Sequence, residues 1–426
     1  MIPTRTLVPA LVAALSASAL LAGCGSGSGD GGGTTSIVWH GEVDVSGKSL
    51  NSLAATWNDE HPKQKVKLVF DGGSDGVLQK TVAGFTAGNY PDMAYQFGSS
   101  VAQLVRQPKL VDLTRTVEKS SFGWDDFYPS EQEAATVGKK VVGVPALVDN
   151  LAVVYNKSMF QAAGVPLPTA TWSWEDFRSA AAKLTDPSTK TYGWAYVNDG
   201  SEDTVWRWIA LLWQAGGELL NSDNTKPAFD SDAGRSSLQL LQDMAVKDKS
   251  VYLDNGNGNY LNLFNSGKIG MLWTGPWDLS SINKGVDYGV ALLPGNNGNH
   301  ETISGPDLWM AFDHSAARTK TTVAFLSWLT SPKVHIKYAM ATGNLPIRKS
   351  ETQLPEYQDF LEKYPGNKVF VQNLDNVKHV RPNVASYGEI STAIGQMVQS
   401  VLIGKADPQK ALDTAKDSVT SALAGQ

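Results

Sequence analysis

The chain has 426 residues, of which 42% are hydrophobic and 18% are charged, with 36 Lys and Arg against 42 Asp and Glu. This composition predicts a globular protein of two or three domains, and its acidic balance without a basic cluster argues against nucleic acid as a partner. The single cysteine and the six histidines show neither HExxH nor i,i+4 spacing. We therefore expect no metal and no cofactor.

The start of the chain has the pattern of a secretory signal followed by a tether. Arg5 is a charged n-region, and the apolar run after it is shorter than the roughly 20 residues of a membrane span. Leu21-Ala22-Gly23-Cys24 resembles the lipobox of bacterial lipoproteins, in which the cysteine thiol carries a diacylglycerol. A secreted protein with an incidental cysteine is the alternative. We expect a signal peptide over 1–23, lipidation at Cys24, a Gly/Ser-rich tether over 24–35, and anchoring to the extracytoplasmic face of the cell membrane.

Strand and helix patterns alternate in the next part of the chain. Residues 36–40, 66–70 and 92–95 have strand patterns, whereas 50–57 and 77–85 have apolar residues at helical spacing. This β-α-β-α-β order predicts a parallel sheet covered by helices, in which ligands bind beyond the carboxyl ends of the strands. The candidate ligand-binding residues that follow these strand ends are His40, Glu42, Asp71, Ser74, Gln96, Phe97 and Ser99.

One of these turns also fits an enzyme motif. Residues 72–76 match G-x-S-x-G between a strand and a helix, which is the place of a nucleophile elbow. However, only two strands precede Ser74, and the adjacent Asp71 and Asp75 would oppose a developing oxyanion rather than stabilise it. A Ser74-dependent surface esterase is the minor alternative, and we expect the Ser74 hydroxyl to bind ligand instead.

An ordered series of short motifs runs through the rest of the chain. They are Gly143-Val144-Pro145, Asp149-Asn150-Leu151, Tyr155-Asn156-Lys157, Gly164-Val165-Pro166, Ala215-Gly216-Gly217, Phe264-Asn265-Ser266-Gly267, Gly275-Pro276-Trp277 and Asn344-Leu345-Pro346. Together they resemble the extracellular solute-binding proteins of carbohydrate ABC transporters, the family of maltose-binding protein. The resemblance implies a protein that is not an enzyme, captures a sugar or oligosaccharide, and delivers it to the permease subunits.

The same resemblance implies a two-lobe α/β fold of the periplasmic-binding-protein type. Each lobe is expected to hold a mostly parallel sheet flanked by helices, with hinge crossings between the lobes. The N-terminal lobe would comprise 36–146 and 291–342, and the C-terminal lobe 147–290 and 343–426, in a chain expected to be a monomer. Asp407-Pro408 has the pattern of the N-cap and first residue of the last helix.

The resemblance also places ligand contacts in the cleft between the lobes. Trp277 matches a tryptophan on which relatives stack a sugar ring, and an indole face suits the apolar C–H face of a pyranose. Asp149 matches an acidic residue whose carboxylate can accept hydroxyl hydrogen bonds. A core tryptophan after a tight turn and a hinge residue that caps backbone amides are the respective alternatives. Further candidate ligand-binding residues are Asn150, Asn198, Asp199, Trp206, Trp273, Asp307 and Arg381.

Two questions stay open at this point. Trp206 and Trp208 are two positions apart, so they cannot share one helical face, and only one of them can point into the cleft. The ligand could also be an anionic polyol such as a glycerophosphodiester. That ligand would need a cation in the cleft, for which Arg381 and Arg348 are the candidates.

Overall fold

A computed structural model describes residues 33–41, 48–70, 74–256 and 258–425. Cys24, Glu42 and Asp71 lie outside these residues, as does the side chain of Ser74, although the backbone of Ser74 begins a described helix. Within the described ranges, no helix combines the length and the hydropathy that crossing a membrane requires.

The first part of the chain follows the predicted alternation of strands and helices. Its elements are β1 (Thr34–His40), α1 (Lys48–Glu60), β2 (Gln64–Phe70), α2 (Ser74–Ala87), β3 (Met93–Phe97), α3 (Val101–Val105), α4 (Thr114–Val117), α5 (Pro129–Ala134), β4 (Thr136–Val137), β5 (Lys140–Val141) and β6 (Val144–Leu147). The strand β1 pairs in parallel with both β2 and β3, so the predicted β-α-β-α-β unit is confirmed.

The middle part of the chain builds a second sheet and then returns to the first. Its elements are β7 (Ala152–Asn156), α6 (Lys157–Ala162), α7 (Trp174–Leu184), β8 (Tyr192–Val197), α8 (Glu202–Gln214), α9 (Asp232–Gln242), β9 (Val251–Asp254), α10 (Asn259–Asn265), β10 (Ile269–Thr274), β11 (Tyr288–Ala291) and β12 (Asp307–Ala311). The first sheet has the order β2-β1-β3-β12-β6, and the second has the order β11-β7-β10-β8-β9.

Helices complete both lobes. They are α11 (Ala316–Leu329), α12 (Pro332–Thr342), α13 (Pro355–Lys363), α14 (Gly366–Asn373), α15 (Tyr387–Leu402) and α16 (Pro408–Ala424). The last three pack on the second lobe, but Tyr357 and Leu361 of α13 pack against Ile336 and Ala339 of α12 beside the first sheet. The start of α16 is as predicted, since the Asp407 side chain accepts a hydrogen bond from the Lys410 amide.

Buried tryptophans form much of the core of the second lobe. Trp194 and Trp273 lie edge to face or tilted against Phe177, with ring centroids 5.0–5.5 Å apart. The indole N–H of Trp172 donates to the Leu292 carbonyl, and that of Trp174 donates to the Gln214 side chain. The tryptophan-rich composition therefore reflects packing in the core of the second lobe, where large aromatic rings bury much apolar area.

The two lobes are joined by chain segments that lie side by side. Three segments cross between the lobes. The one from β6 to β7 pairs with the segment before β12 through a bridge from Asn150 to Ser304, and with the segment after α12 through a bridge from Val148 to Leu345. The Thr302 hydroxyl reinforces the first pairing by donating to the Leu151 carbonyl at 2.7 Å. These crossings bring residues distant in sequence to the floor of one cleft.

Candidate ligand-binding cleft

A cavity of about 380 Å³ lies between the lobes, directly above the crossings. It is lined by Phe97, Asp149, Ser201, Glu202, Asp203, Trp206, Trp277, Gly305, Asp307, Asn344 and Arg381. Two further cavities of about 500 and 640 Å³ adjoin it, sharing Arg381 on one side and Phe97 and Glu202 on the other. The cleft is therefore longer than its central chamber.

The wall from the first lobe is built by sheet topology. Phe97 ends β3, and Asp307 begins the antiparallel neighbour β12 directly opposite it. An antiparallel strand begins where its partner ends, so both residues reach the carboxyl edge of the parallel strands, where ligands bind in such sheets. The Asp307 carboxylate is held in place by a hydrogen bond from the Tyr95 hydroxyl.

Two tryptophans form the opposite wall. Trp206 lies in the first turns of α8, and Trp277 lies in the 3₁₀ turn Pro276–Ser281 that follows β10. Their ring centroids are 6.0 Å apart with the planes inclined at 36°. Trp208 is fully buried instead, and its indole N–H donates to the Ser237 hydroxyl at 3.0 Å. A helix turns by about 200° over two residues, so of the two positions Trp206 lines the cleft.

Asp149 lies at the crossing, with one face open to the cavity. The Gly305 amide donates to its Oδ1 at 2.9 Å. A Cβ on residue 305 would lie 2.7 Å from that oxygen, so only glycine allows this approach. Protein atoms surround the carboxyl on its other sides, and this burial raises its pKa to about 7 despite the Gly305 bond and the nearby Arg381 charge.

A second carboxyl, Glu131, lies behind Asp149 and was not expected from the sequence. It is on the first turn of α5 and is 0% exposed. The Ser304 hydroxyl donates to its Oε1 at 3.2 Å, and its Oε2 has no hydrogen-bond partner among the described residues. Burial, and then the charge of Asp149, raise the pKa of Glu131 to about 8.

The cation in the cavity wall is already paired. The Arg381 side chain is 7% exposed and donates to Glu202 Oε1 at 2.7 Å. The Tyr387 hydroxyl donates to the same oxygen at 2.8 Å, and the Ser391 hydroxyl donates to the other oxygen. Burial by itself would lower the pKa of the Arg381 guanidinium, but the attraction of the Glu202 carboxylate is larger, so the pKa is raised. Four carboxyls therefore line the cavity with one compensated guanidinium.

The cavity brings together a subset of the predicted ligand-binding residues. Those that line it are Trp277, Asp149, Phe97, Trp206, Asp307 and Arg381. Ser99 lines both neighbouring cavities. The sequence analysis missed Ser201, Glu202, Asp203, Gly305 and Asn344. For the first three of these, the available signal was a helix N-cap shortly after strand β8, since the Ser201 side chain caps α8 by accepting from the Asp203 amide.

Other predicted residues lie elsewhere. The residues outside the central cavity are His40, Gln96, Asn150, Asn198, Asp199 and Trp273. Gln96 and Trp273 point into the protein because side chains alternate along a strand. Asn150 is buried in the crossing, where its amide donates to the Phe370 carbonyl. Asp199 is exposed and accepts from the Ser201 amide and the Thr204 hydroxyl. His40 is buried with its ring 5.6 Å from that of Phe70.

Arg348, the other candidate cation, is not in this cleft. Its guanidinium carbon lies 4.0 Å from the centre of the Phe127 ring. Its nitrogens donate to the carbonyls of Thr330 and Gly123 at 2.9 and 2.8 Å. Arg348 therefore holds together the first lobe, and Arg381 is the cation that meets the central cavity among the residues described.

Two α/β lobes with a polar, aromatic cleft above their crossings define a two-lobe solute-binding protein. Residues 41–336 match the family described as bacterial extracellular solute-binding protein, so the chain belongs to that family. The resemblance and the two-lobe fold predicted from the sequence are thereby confirmed.

The names of similar proteins refer to two classes of ligand. The sn-glycerol-3-phosphate-binding periplasmic protein UgpB of Pectobacterium atrosepticum is 25% identical over 400 residues, which are 88% of each chain. The cyclic alpha-maltosyl-1,6-maltose binding protein from Arthrobacter globiformis is also 25% identical, covers 93% of this chain and 100% of its own, and has a TM-score of 0.79. UgpB from Mycobacterium tuberculosis, solved with glycerophosphocholine, has a TM-score of 0.82 over 93% of this chain and 100% of its own; at 19% identity it supports the fold alone.

Proposed function

We propose that this chain is the solute-capturing component of an ABC importer and that its ligand is a neutral sugar or oligosaccharide. The observation that carries the proposal is the pairing of two tryptophan rings, Trp206 and Trp277, with four carboxyls around one cavity. An indole face offers a flat apolar surface to the C–H face of a sugar ring. Ionised carboxylates accept hydrogen bonds only, and adjacent sugar hydroxyls supply the donors.

The charges of the cavity weigh against an anionic ligand. A phosphodiester would enter beside Asp149 and Asp307, and like charges in a partly buried site repel each other. The other two carboxyls of the cavity, Glu202 and Asp203, are ion-paired with Arg381 and Arg207. Arg381 could attract it, but Glu202 already holds that guanidinium. A glycerophosphodiester stays the second candidate for one structural reason. Among the described residues, Arg381 is the cation that lines the central cavity.

We propose that the protein binds its ligand without catalysing a reaction. Ligand would shift the two lobes from an open to a closed arrangement about the crossings, and the closed form would deliver the solute to the permease. The similar proteins named above are binding proteins, which supports this reading over a Ser74-dependent esterase.

The lipobox motif supports anchoring of the monomeric protein through Cys24. Diacylglycerol and a further acyl chain would hold it to the membrane, whereas a Gly/Ser-rich tether has no affinity of its own. Cys24→Ser should move the protein from the membrane fraction to the medium. A variant that stays wholly with the membranes would show a different anchor.

A ligand screen tests the proposal directly. The mature protein is heated with a panel of neutral di- and trisaccharides (maltose, cellobiose, xylobiose, trehalose, sucrose, maltotriose), with sn-glycerol-3-phosphate and glycerophosphocholine, and with a chromogenic ester. A sugar should raise the melting temperature, since a ligand that binds only the folded state stabilises it. A shift with the phosphate compounds alone would favour the second candidate. Ester turnover that Ser74→Ala abolishes would establish the enzyme instead.

A further inference from the structure

Glu131 is a buried acid, placed one layer behind the cleft, for which the described part of the chain supplies no ion-pair partner. It is on α5 with its side chain fully buried, and the Ser304 hydroxyl donates a hydrogen bond to its Oε1 at 3.2 Å. Its other oxygen has no partner in the same part of the chain. Burying an ionised carboxyl lowers the stability of the folded state unless the charge is paired, so a buried carboxyl without a counter-ion favours its uncharged form.

The segment that Glu131 holds controls two groups of the cavity wall. The Gly305 amide donates to Asp149 Oδ1 at 2.9 Å. The Ser304 carbonyl accepts from the Trp206 indole N–H at 3.5 Å. One short segment, fixed from behind by Glu131, therefore orients both the carboxylate and the aromatic ring that we expect to contact the ligand.

The charged groups that act on Glu131 are Asp149, which raises its pKa, and Arg381, which lowers it. Asp149 is in turn influenced by Arg381 and Asp203. Arg381, the cation that acts on both carboxyls, is committed to Glu202. A fully buried carboxyl and a neighbouring, partly buried one cannot both ionise at low cost, so the pair keeps one proton through neutral pH. The pKa of Asp149, about 7, and that of Glu131, about 8, agree with this sharing.

We infer that Glu131 is a positioning residue for ligand capture: as an uncharged carboxylic acid, it fixes the Ser304–Gly305 segment and leaves the negative charge on Asp149. The inference rests on the proposed function, in which Asp149 accepts hydrogen bonds from ligand hydroxyls. Capture then has a pH window. Protonation of Asp149 limits it on the acid side, and ionisation of Glu131 limits it on the alkaline side, because a second charge behind Asp149 repels the first.

The proton on Glu131 can be observed without any ligand. Infrared difference spectra of the mature protein are recorded from about pH 6 to about pH 9 for the wild type, Glu131→Gln and Glu133→Gln. Glu133 is the matched control, since it is the same residue on the same helix but exposed. The carbonyl stretch of a protonated carboxyl should disappear toward high pH in the wild type and the control. Glu131→Gln should lack the component that titrates at the higher pH, and an identical loss in all three proteins would overturn the inference.

The affinity profile tests the positioning role. The panel sugar with the largest melting shift is titrated by calorimetry over the same pH range. We expect wild-type affinity to fall on both sides of the window, by up to about tenfold per pH unit beyond either limit. Glu131→Gln should lose the alkaline fall and Asp149→Asn the acid fall, while Glu133→Gln keeps both. An alkaline fall that persists in Glu131→Gln would overturn the inference. If no sugar binds, the proposed function fails, and the infrared titration still decides whether Glu131 is protonated.

Discussion

The pH dependence of stability gives a prediction that can be worked out from Glu131 alone. Its pKa is about 8 in the folded protein, against an ordinary value of 4.5 that we assign to the unfolded chain. The folded state therefore binds the proton more tightly than the unfolded state does. The resulting stability is fully present below about pH 4.5 and is lost as the pH rises through about 8.

Glu131→Gln keeps the size of the side chain and removes this dependence. The variant should gain stability over the wild type by about 1.4 kcal/mol per pH unit between these limits, which is about 5 kcal/mol once the pH exceeds 8. Between about pH 5 and pH 8 the difference in the free energy of unfolding should grow by about 3–4 kcal/mol. Urea unfolding followed by circular dichroism at several pH values measures it, with Glu133→Gln as the control. A difference that stays constant with pH would refute the reasoning.

Three substitutions in the cleft test the ligand contacts. Trp277→Ala should weaken sugar binding by about 2 kcal/mol or more with little loss of unliganded melting temperature; Trp328→Ala, at a half-buried tryptophan of α11, should leave sugar binding intact. Asp149→Asn should weaken binding by about 1.5–3 kcal/mol in calorimetry near pH 8, and by less near pH 6, where wild-type Asp149 is itself protonated. Gly305→Ala should lower the affinity because its Cβ would displace the Asp149 carboxylate, and an unchanged affinity would show that the contact is adaptable.

The fold was predictable from the sequence because strand and helix periods are local signals. The parallel pairing of β1 with β2 and β3 followed from their order along the chain. The two tryptophans of α8 likewise obeyed helix geometry, with Trp206 at the cavity and Trp208 in the core. Such patterns need only neighbours within one element, which a sequence displays directly.

The charge balance of the cleft was not predictable in the same way. Arg381 was expected in the cleft, but its partner Glu202 lies 179 positions earlier, and nothing local couples the two. From the sequence, Glu131 resembles an ordinary acidic residue in the first turn of a helix, where its negative charge would interact favourably with the helix dipole. Only the crossing segment at Ser304 makes it a buried group of the site.

We expect the Arg381–Glu202 ion pair to determine whether the cleft accepts an anionic ligand. Glu202→Gln would leave the guanidinium buried without its counter-ion, so the free energy of unfolding should fall by about 3–5 kcal/mol. The same change removes one of the four carboxyls and frees the cation, so the cavity should begin to bind sn-glycerol-3-phosphate in calorimetry. Glu356→Gln is a suitable control, because Glu356 is exposed on α13 and is not among the lining residues of the three cavities. If Glu202→Gln binds the phosphate no better than the wild type, the pairing of Arg381 does not set the ligand charge. If the wild type already binds the phosphate tightly, the compensated cation is no barrier, and the case for a neutral ligand fails with it.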